Sequence, residues 1–253
     1  MNALSGKTAL VTGGGTGVGQ GIAFALAKEG ADIAVAGRTT SKLLDTCAAI
    51  EKLGVRALPI TCDVCDISNI KRTVAETIAS FGKIDILVNN AQIESLGMLN
   101  DMTDERFEDA FKSGPFATYY FMKACHPHMK ANGGGIIVNL GTSLAQHAST
   151  AGCGAYVSAK QAVRGLTHAA ACEWGRDRIR VNTIMPLAMS AALDEAIKKN
   201  PEWGRALAAS VPLGYIGDCE LDIGRVVVFL AGEDSRYITG ATIPLDGGMA
   251  NFG

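Results

Sequence analysis

Residues 8–19 read Thr8-Ala9-Leu10-Val11-Thr12-Gly13-Gly14-Gly15-Thr16-Gly17-Val18-Gly19, a short apolar run that breaks into glycines, with Gly21 close behind. The apolar run is strand-like, and a helical pattern opens beyond the glycines. Glycine lets the backbone turn sharply and approach a bulky anion. The free N–H groups and dipole of the following helix then stabilise negative charge. A strand, a glycine loop and a helix in this order point to a pyrophosphate-bearing ligand.

Working outward, strand-like runs recur at 8–12, 33–36, 57–61, 84–89, 136–140, 179–184 and 241–245, with helical patterns between them. Strands that alternate with helices, and that are apolar on both faces, predict an α/β fold: a doubly wound parallel sheet with helices on both sides. No repeat, linker or low-complexity stretch divides the chain, so 1–253 reads as one domain. Only residues 186–217 break the rhythm, being too long for a plain connection. Their Met189, Leu193, Ile197 and Trp203 suggest short helices laid over the strand ends, an insertion suited to covering a substrate.

At 253 residues, 48% hydrophobic and 19% charged, the composition is that of a globular domain with a sizeable core. A net charge of -2 gives no electrostatic reason for a nucleic acid or anionic membrane as partner. No run approaches the length of a membrane span and no secretory pattern opens the chain, so a cytoplasmic protein is expected. Seven scattered cysteines read as reduced core residues. Cys62 and Cys65 form a lone Cys-x-x-Cys without the further ligands of a zinc site, so no metal is expected.

A second constellation follows the run Ile136 to Leu140: Ser143, then Tyr156, then Lys160 four residues later. On a helix, Tyr156 and Lys160 face the same way. An ammonium about 4 Å from a phenol, at an effective dielectric of about 20, is worth up to ~4 kcal/mol, or about 3 pKa units. That would bring a tyrosine into acid–base range. Tyr119 and Lys123 share the spacing, but only Tyr156 has a strand end and a hydroxyl residue upstream. Strand ends are where open parallel sheets place ligands.

With these motifs in order, the chain resembles the short-chain dehydrogenase/reductase family over nearly its full length. The family's Thr-Gly-x-x-x-Gly-x-Gly is matched by Thr12 to Gly19, its Asn-Asn-Ala-Gly by Asn89-Asn90-Ala91-Gln92, and its Tyr-x-x-x-Lys by Tyr156 to Lys160. Its upstream serine is Ser143, its Asp-Val is Asp63-Val64 and its C-terminal Asp-Gly-Gly is Asp246-Gly247-Gly248. The resemblance implies a single-domain Rossmann fold with a seven-stranded sheet, and an NAD(P)-dependent oxidoreductase acting on CH–OH groups. It also implies that Tyr156 exchanges a proton with the substrate oxygen, that Ser143 orients that oxygen, and that Lys160 holds the nicotinamide ribose and lowers the tyrosine pKa. The dinucleotide would then touch Gly13, Gly15, Thr16, Gly17, Val18, Gly19, Arg38, Asp63, Val64, Asn90, Tyr156, Lys160, Pro186 and Ala188.

A carboxylate at the end of the second strand would accept from a ribose 2′-hydroxyl, whereas an arginine would take a 2′-phosphate. Here Gly37 stands at the acidic position and Arg38 follows, with no second base in the glycine loop; NADP(H) is expected over NAD(H).

Three family positions differ. An asparagine whose main-chain carbonyl is thought to hold a water leading to the lysine aligns with Gly114, followed by Pro115. Proline cannot donate to the carbonyl of Phe111, so a kinked helix is expected, and asparagine restored at 114 should change turnover little. Gln92 replaces the glycine beside the nicotinamide, and Leu187 replaces the glycine after Pro186. Gln92 either bonds a polar substrate group or turns toward the neighbouring helix. With Leu144, His147, Met189 and Trp203, these residues suggest a largely apolar pocket, His147 being a wall rather than a base.

The leading expectation is interconversion of a secondary alcohol and a ketone on a hydrophobic or cyclic substrate, a steroid-like one among them. A 3-oxoacyl-thioester reductase is the alternative, with Arg106, Lys112, Lys123 and Lys130 as a carrier-protein patch. A dinucleotide-sensing or scaffolding protein is the alternative outside enzymes. The resemblance also implies a homo-oligomer, a tetramer or dimer, built through the long helices after the fourth and fifth strands.

Overall fold

The computed structural model describes residues 2–146 and 150–250, so His147 lies outside the described residues. The first half runs β1 (Thr8–Thr12), α1 (Gly17–Lys28), β2 (Asp32–Gly37), α2 (Thr40–Glu51), β3 (Ala57–Thr61), α3 (Ile67–Phe81) and β4 (Ile86–Asn89). The second half runs α4 (Asp104–Phe111), a π-helical turn (Lys112–Phe116), α5 (Ala117–Ala131), β5 (Gly135–Leu140) and α6 (Gly154–Trp174). It continues through β6 (Ile179–Pro186), α7 (Ala191–Lys199), α8 (Pro201–Ser210), α9 (Arg225–Ala231) and β7 (Thr242–Leu245).

The strands form one seven-stranded sheet in the order β3-β2-β1-β4-β5-β6-β7, every pair parallel. Strand residues alternate between two cores because successive side chains point to opposite faces. On β1, Ala9 and Val11 pack with Ile22 and Leu26 of α1 and Val227 of α9, all buried. Leu10 between them packs on the other face with Val74 of α3 and Phe121 and Met122 of α5. A sheet covered on both faces explains the continuous apolar strands.

From β1 the chain winds outward through β2 to β3, then returns to the other side of β1 for β4. The loops after β1 and β4 therefore diverge and open a crevice at the strand ends. Thr12 closes its floor: its hydroxyl donates to Val88 O and accepts from the N–H groups of Asn90 and Ala91. Residues 186–217 cover the crevice with α7 and α8, capped by Ser190 and Asn200, which accept from Leu193 N–H and Trp203 N–H. A parallel bridge between Ala188 and Gly217 joins the two ends of this cover.

The cysteines divide. Cys47, Cys62 and Cys125 are buried, as a core role requires, but Cys172 is exposed, and all seven are free. Burial pushes the Cys125 thiol up to about 12.

Candidate active site

A cleft of about 810 Å³ runs along the strand ends from the glycine loop to the α7–α8 cover. Gly13 and Gly17 have φ of +66° and +57°, a region that L side chains avoid, and a Cβ on Gly13 would lie 2.5 Å from Asn90 Nδ2. That amide donates to Thr12 O at 2.9 Å, tying the β4 loop to the glycine loop. Thr16, at the N-cap of α1, makes no side-chain cap, so the first N–H groups of the helix face the cleft unshielded. The cradle fits a pyrophosphate: backbone donors line it, and no side chain could be added at Gly13 without a clash.

Gly13, Gly15, Thr16, Gly17, Val18, Arg38, Asp63, Val64, Asn90, Tyr156, Lys160, Pro186 and Ala188 all line the cleft. Gly19 does not. It is buried one turn into α1, where a Cβ would collide with the Asn90 side chain and the Gly13 carbonyl, so its requirement is close packing. Lys42, on the first turn of α2, joins Arg38 in lining the cleft. The second base, absent from the glycine loop, thus stands four residues beyond Arg38.

Tyr156 and Lys160 sit on successive turns near the start of α6. The Lys160 ammonium is buried, donates to Leu140 O at 2.7 Å and stands 5.7 Å from the Tyr156 ring centre. The expected lowering of the tyrosine pKa is absent. Burial pushes the Tyr156 phenol up to about 12, opposed by a hydrogen bond with Thr142 and reinforced by the negative charge of Glu94. Burial also pulls Lys160 down to about 8, with Glu94 acting against it. Spacing alone gave the attraction between the pair, but not the larger cost of taking both groups out of water.

Ser143 opens a short 3₁₀ turn, Ser143–Gln146, after β5 and is buried. It does not line the cleft, whereas its neighbour Leu144 does. Thr142 is the hydroxyl that meets the phenol. Neither Thr142 nor Glu94 was singled out from sequence.

Gln92, Leu144, Leu187, Leu193 and Trp203 form the other end of the cleft. A second, open pocket of about 530 Å³ is lined by Met189, Ile197 of α7, Gly204, Arg205 and Ala208 of α8, and Tyr215. The apolar residues of the insertion thus divide, Leu193 and Trp203 facing the cleft and Met189 and Ile197 the second pocket.

The basic residues weighed as a carrier-protein patch are engaged locally. Arg106 donates to Leu96 O, Lys112 pairs with Glu108, Lys130 pairs with Asp177, and Lys123 lies over the Tyr119 ring. The strain expected at Pro115 is taken up by the π turn. There a Cβ on Gly114 would stand 3.0 Å from Gln92 Nε2 and 3.2 Å from its Cδ, so an asparagine at 114 must push the Gln92 carboxamide aside by a few tenths of an ångström. Its effect on turnover therefore depends on what the Gln92 carboxamide does.

A family model described as enoyl-(acyl carrier protein) reductase matches residues 13–250. A 12alpha-hydroxysteroid dehydrogenase from a Clostridium species is 41% identical, covering 98% of each chain. A solved 7alpha-hydroxysteroid dehydrogenase, complexed with NADH and 7-oxo glycochenodeoxycholic acid, superposes with a TM-score of 0.91 at 29% identity, covering 97% of this chain and 94% of that one. A short-chain type dehydrogenase/reductase from Mycobacterium marinum gives 0.88 at 32% identity, covering 97% and 96%.

Proposed function

Because the chain belongs to the short-chain dehydrogenase/reductase family, and is thus an NAD(P)(H)-dependent oxidoreductase acting on CH–OH groups, we propose that it interconverts a secondary alcohol and a ketone on a bulky, hydrophobic cyclic substrate of steroid-like size, using NADP(H). One observation carries this reading. Tyr156 and Lys160 stand in a single cleft between a pyrophosphate cradle and an apolar wall of Leu144, Leu187, Leu193 and Trp203. A 12alpha-hydroxysteroid dehydrogenase as a 41% identical relative supports a substrate of that size. Arg38 and Lys42 together support NADP(H), because a 2′-phosphate is a better partner for two cations than a hydroxyl.

In this reading the glycine loop and the α1 N-terminus hold the pyrophosphate, Arg38 and Lys42 the 2′-phosphate, and Asp63 and Val64 border the adenine. Bound there, NADP(H) supplies or accepts the hydride. In reduction Tyr156 donates its phenolic proton to the substrate oxygen. A pKa of about 12 keeps that proton in place across neutral pH. The Lys160 ammonium stabilises the phenolate left behind and the Thr142 hydroxyl holds the phenol, while Ser143, buried beside Leu144, would have to turn toward the cleft to orient the substrate oxygen. The apolar wall excludes water from the reacting groups.

We further read the chain as a homo-oligomer, a tetramer or dimer, since Phe107, Phe116 and Tyr119 expose a partly apolar stripe on α4, the π turn and α5. Its free cysteines, Cys172 exposed among them, suit a reducing compartment such as the cytoplasm. Fluorescence titration with NADPH and NADH, followed by turnover of a panel of cyclic ketones, tests the reading. Tight NADPH binding with turnover of bulky ketones is expected; preference for NADH would overturn the role given to Arg38 and Lys42.

A further inference from the structure

Both polar atoms of the Gln92 carboxamide are buried and without a hydrogen-bond partner among the described residues. A glutamine amide offers two donors and two acceptors, and burying it unpaired is costly. Native proteins keep such groups where a function needs them or where a further partner arrives. Gln92 is also held in place. The N–H of the next residue, Ile93, donates to Ser113 Oγ at 3.0 Å, and that hydroxyl donates to Asp109 O at 2.6 Å. Ser113 thereby locks the loop after β4 onto the π turn, and the adjacent Gly114 leaves the space into which the carboxamide fits.

We propose that Gln92 and Gly114 are two halves of one device, in which glycine at 114 admits the Gln92 carboxamide as a positioning group for proton exchange at Tyr156 and Lys160. The inference rests on the reading of Tyr156 as the proton donor. Lys160 is buried and Tyr156 is half-buried in the wall of the cleft, so once a substrate fills the cleft a proton given up by the phenol must be replaced through polar groups. Gln92 lines the same cleft as both, and the turn against which it packs lies against α6, which carries them. A carboxamide both donates and accepts and does not titrate, so it can hold a hydrogen-bonded chain in register at any working pH. The partner it takes is a neutral polar group, either a water or a hydroxyl of the substrate, which both donate and accept, or a substrate carbonyl, which accepts from the amide.

Gln92→Met separates packing from polarity, because methionine fills similar space without the amide. The variant should keep its melting temperature and its NADPH affinity, while kcat for ketone reduction falls about tenfold and the high-pH limb of the profile shifts. If kcat and the pH profile match the wild type, the carboxamide only packs and the proposal fails. A loss in kcat for every ketone assigns the partner to water; a loss in kcat confined to ketones bearing a second polar group assigns it to substrate; a rise in KM with kcat unchanged overturns the proton-exchange role. Gly114→Asn should also lose turnover, and Gln92→Gly combined with Gly114→Asn should recover most of it. Losses that simply multiply would overturn the pairing. Tyr156→Phe, run alongside, keeps the two readings apart: if it turns over at close to the wild-type rate, the proton-donor assignment itself has failed.

Discussion

The two ends of the cleft are built differently. At the dinucleotide end, backbone and buried packing set the geometry: Gly13 and Gly19 press against the Asn90 side chain, Gly14 against Val35 of β2, and Asn90 and Thr12 tie β1 to β4. At the substrate end, side chains of a surface insertion set it, and Trp203 remains 44% exposed. A tightly packed frame tolerates few sequences, whereas an exposed cover tolerates many. The first end reports the chemistry of the family, the second the particular substrate. Between them lie Tyr156 and Lys160, held by the frame and lining the cleft that the cover closes.

The largest effect should come from that boundary. Tyr156→Phe is expected to lower kcat by about 10²–10⁴-fold while leaving the NADPH dissociation constant nearly unchanged, a split readable by fluorescence titration beside steady-state assay. At the dinucleotide end, removing both cations in Arg38→Ala with Lys42→Ala should weaken NADPH by about tenfold or more and leave NADH almost untouched. Equal weakening of both dinucleotides would show that the pair does not read the 2′-position. Gly19→Ala should act on stability instead, lowering the melting temperature through a cost of about 1–3 kcal/mol from overpacking against Asn90 and Gly13. At the substrate end Trp203→Ala should change KM for bulky ketones by about two- to tenfold and barely move kcat, as expected when one apolar contact is lost.

Lys160 sharpens the contrast through pH. Burial lowers its pKa to about 8, so above that value the ammonium that stabilises the departing phenolate is lost. In ketone reduction kcat/KM should therefore fall as pH rises through about 8. For folding the sign is opposite. Between about 8 and the ordinary lysine value of 10.5 the unfolded chain binds more protons than the native one, so this group's contribution to stability improves as pH rises through that window. Lys160→Met should accordingly fold more stably at pH 7 while losing turnover.

The frame was largely legible in the sequence. The run at 33–36 became β2 at Asp32–Gly37, and 57–61 matched β3, because strands covered on both faces are apolar throughout. The run at 84–89 began two residues early: Ile84 is buried ahead of the strand, and Asp85 accepts from Thr8 N–H. The order of glycine loop, tyrosine and lysine placed the cleft. What escaped were interactions between distant positions and the energetics of burial. Gln92 and Gly114 looked like separate departures, because only the fold brings residues 22 positions apart into contact. Lys42 could be found only by placing the start of α2, and Glu94 only by knowing that the loop after β4 returns to Tyr156. The phenol moved against expectation because spacing reveals a neighbour's charge but not how little water remains around it.

The most direct test of hydride transfer at this cleft is to incubate the protein with a bulky cyclic ketone and NADPH deuterated at nicotinamide C4, then measure the alcohol by mass spectrometry. The account predicts one deuterium on the carbinol carbon from one face of the nicotinamide, and incorporation about 10²–10⁴-fold slower with Tyr156→Phe. Tight NADPH binding without deuterium transfer to any ketone in a panel spanning ring size and polarity would contradict it.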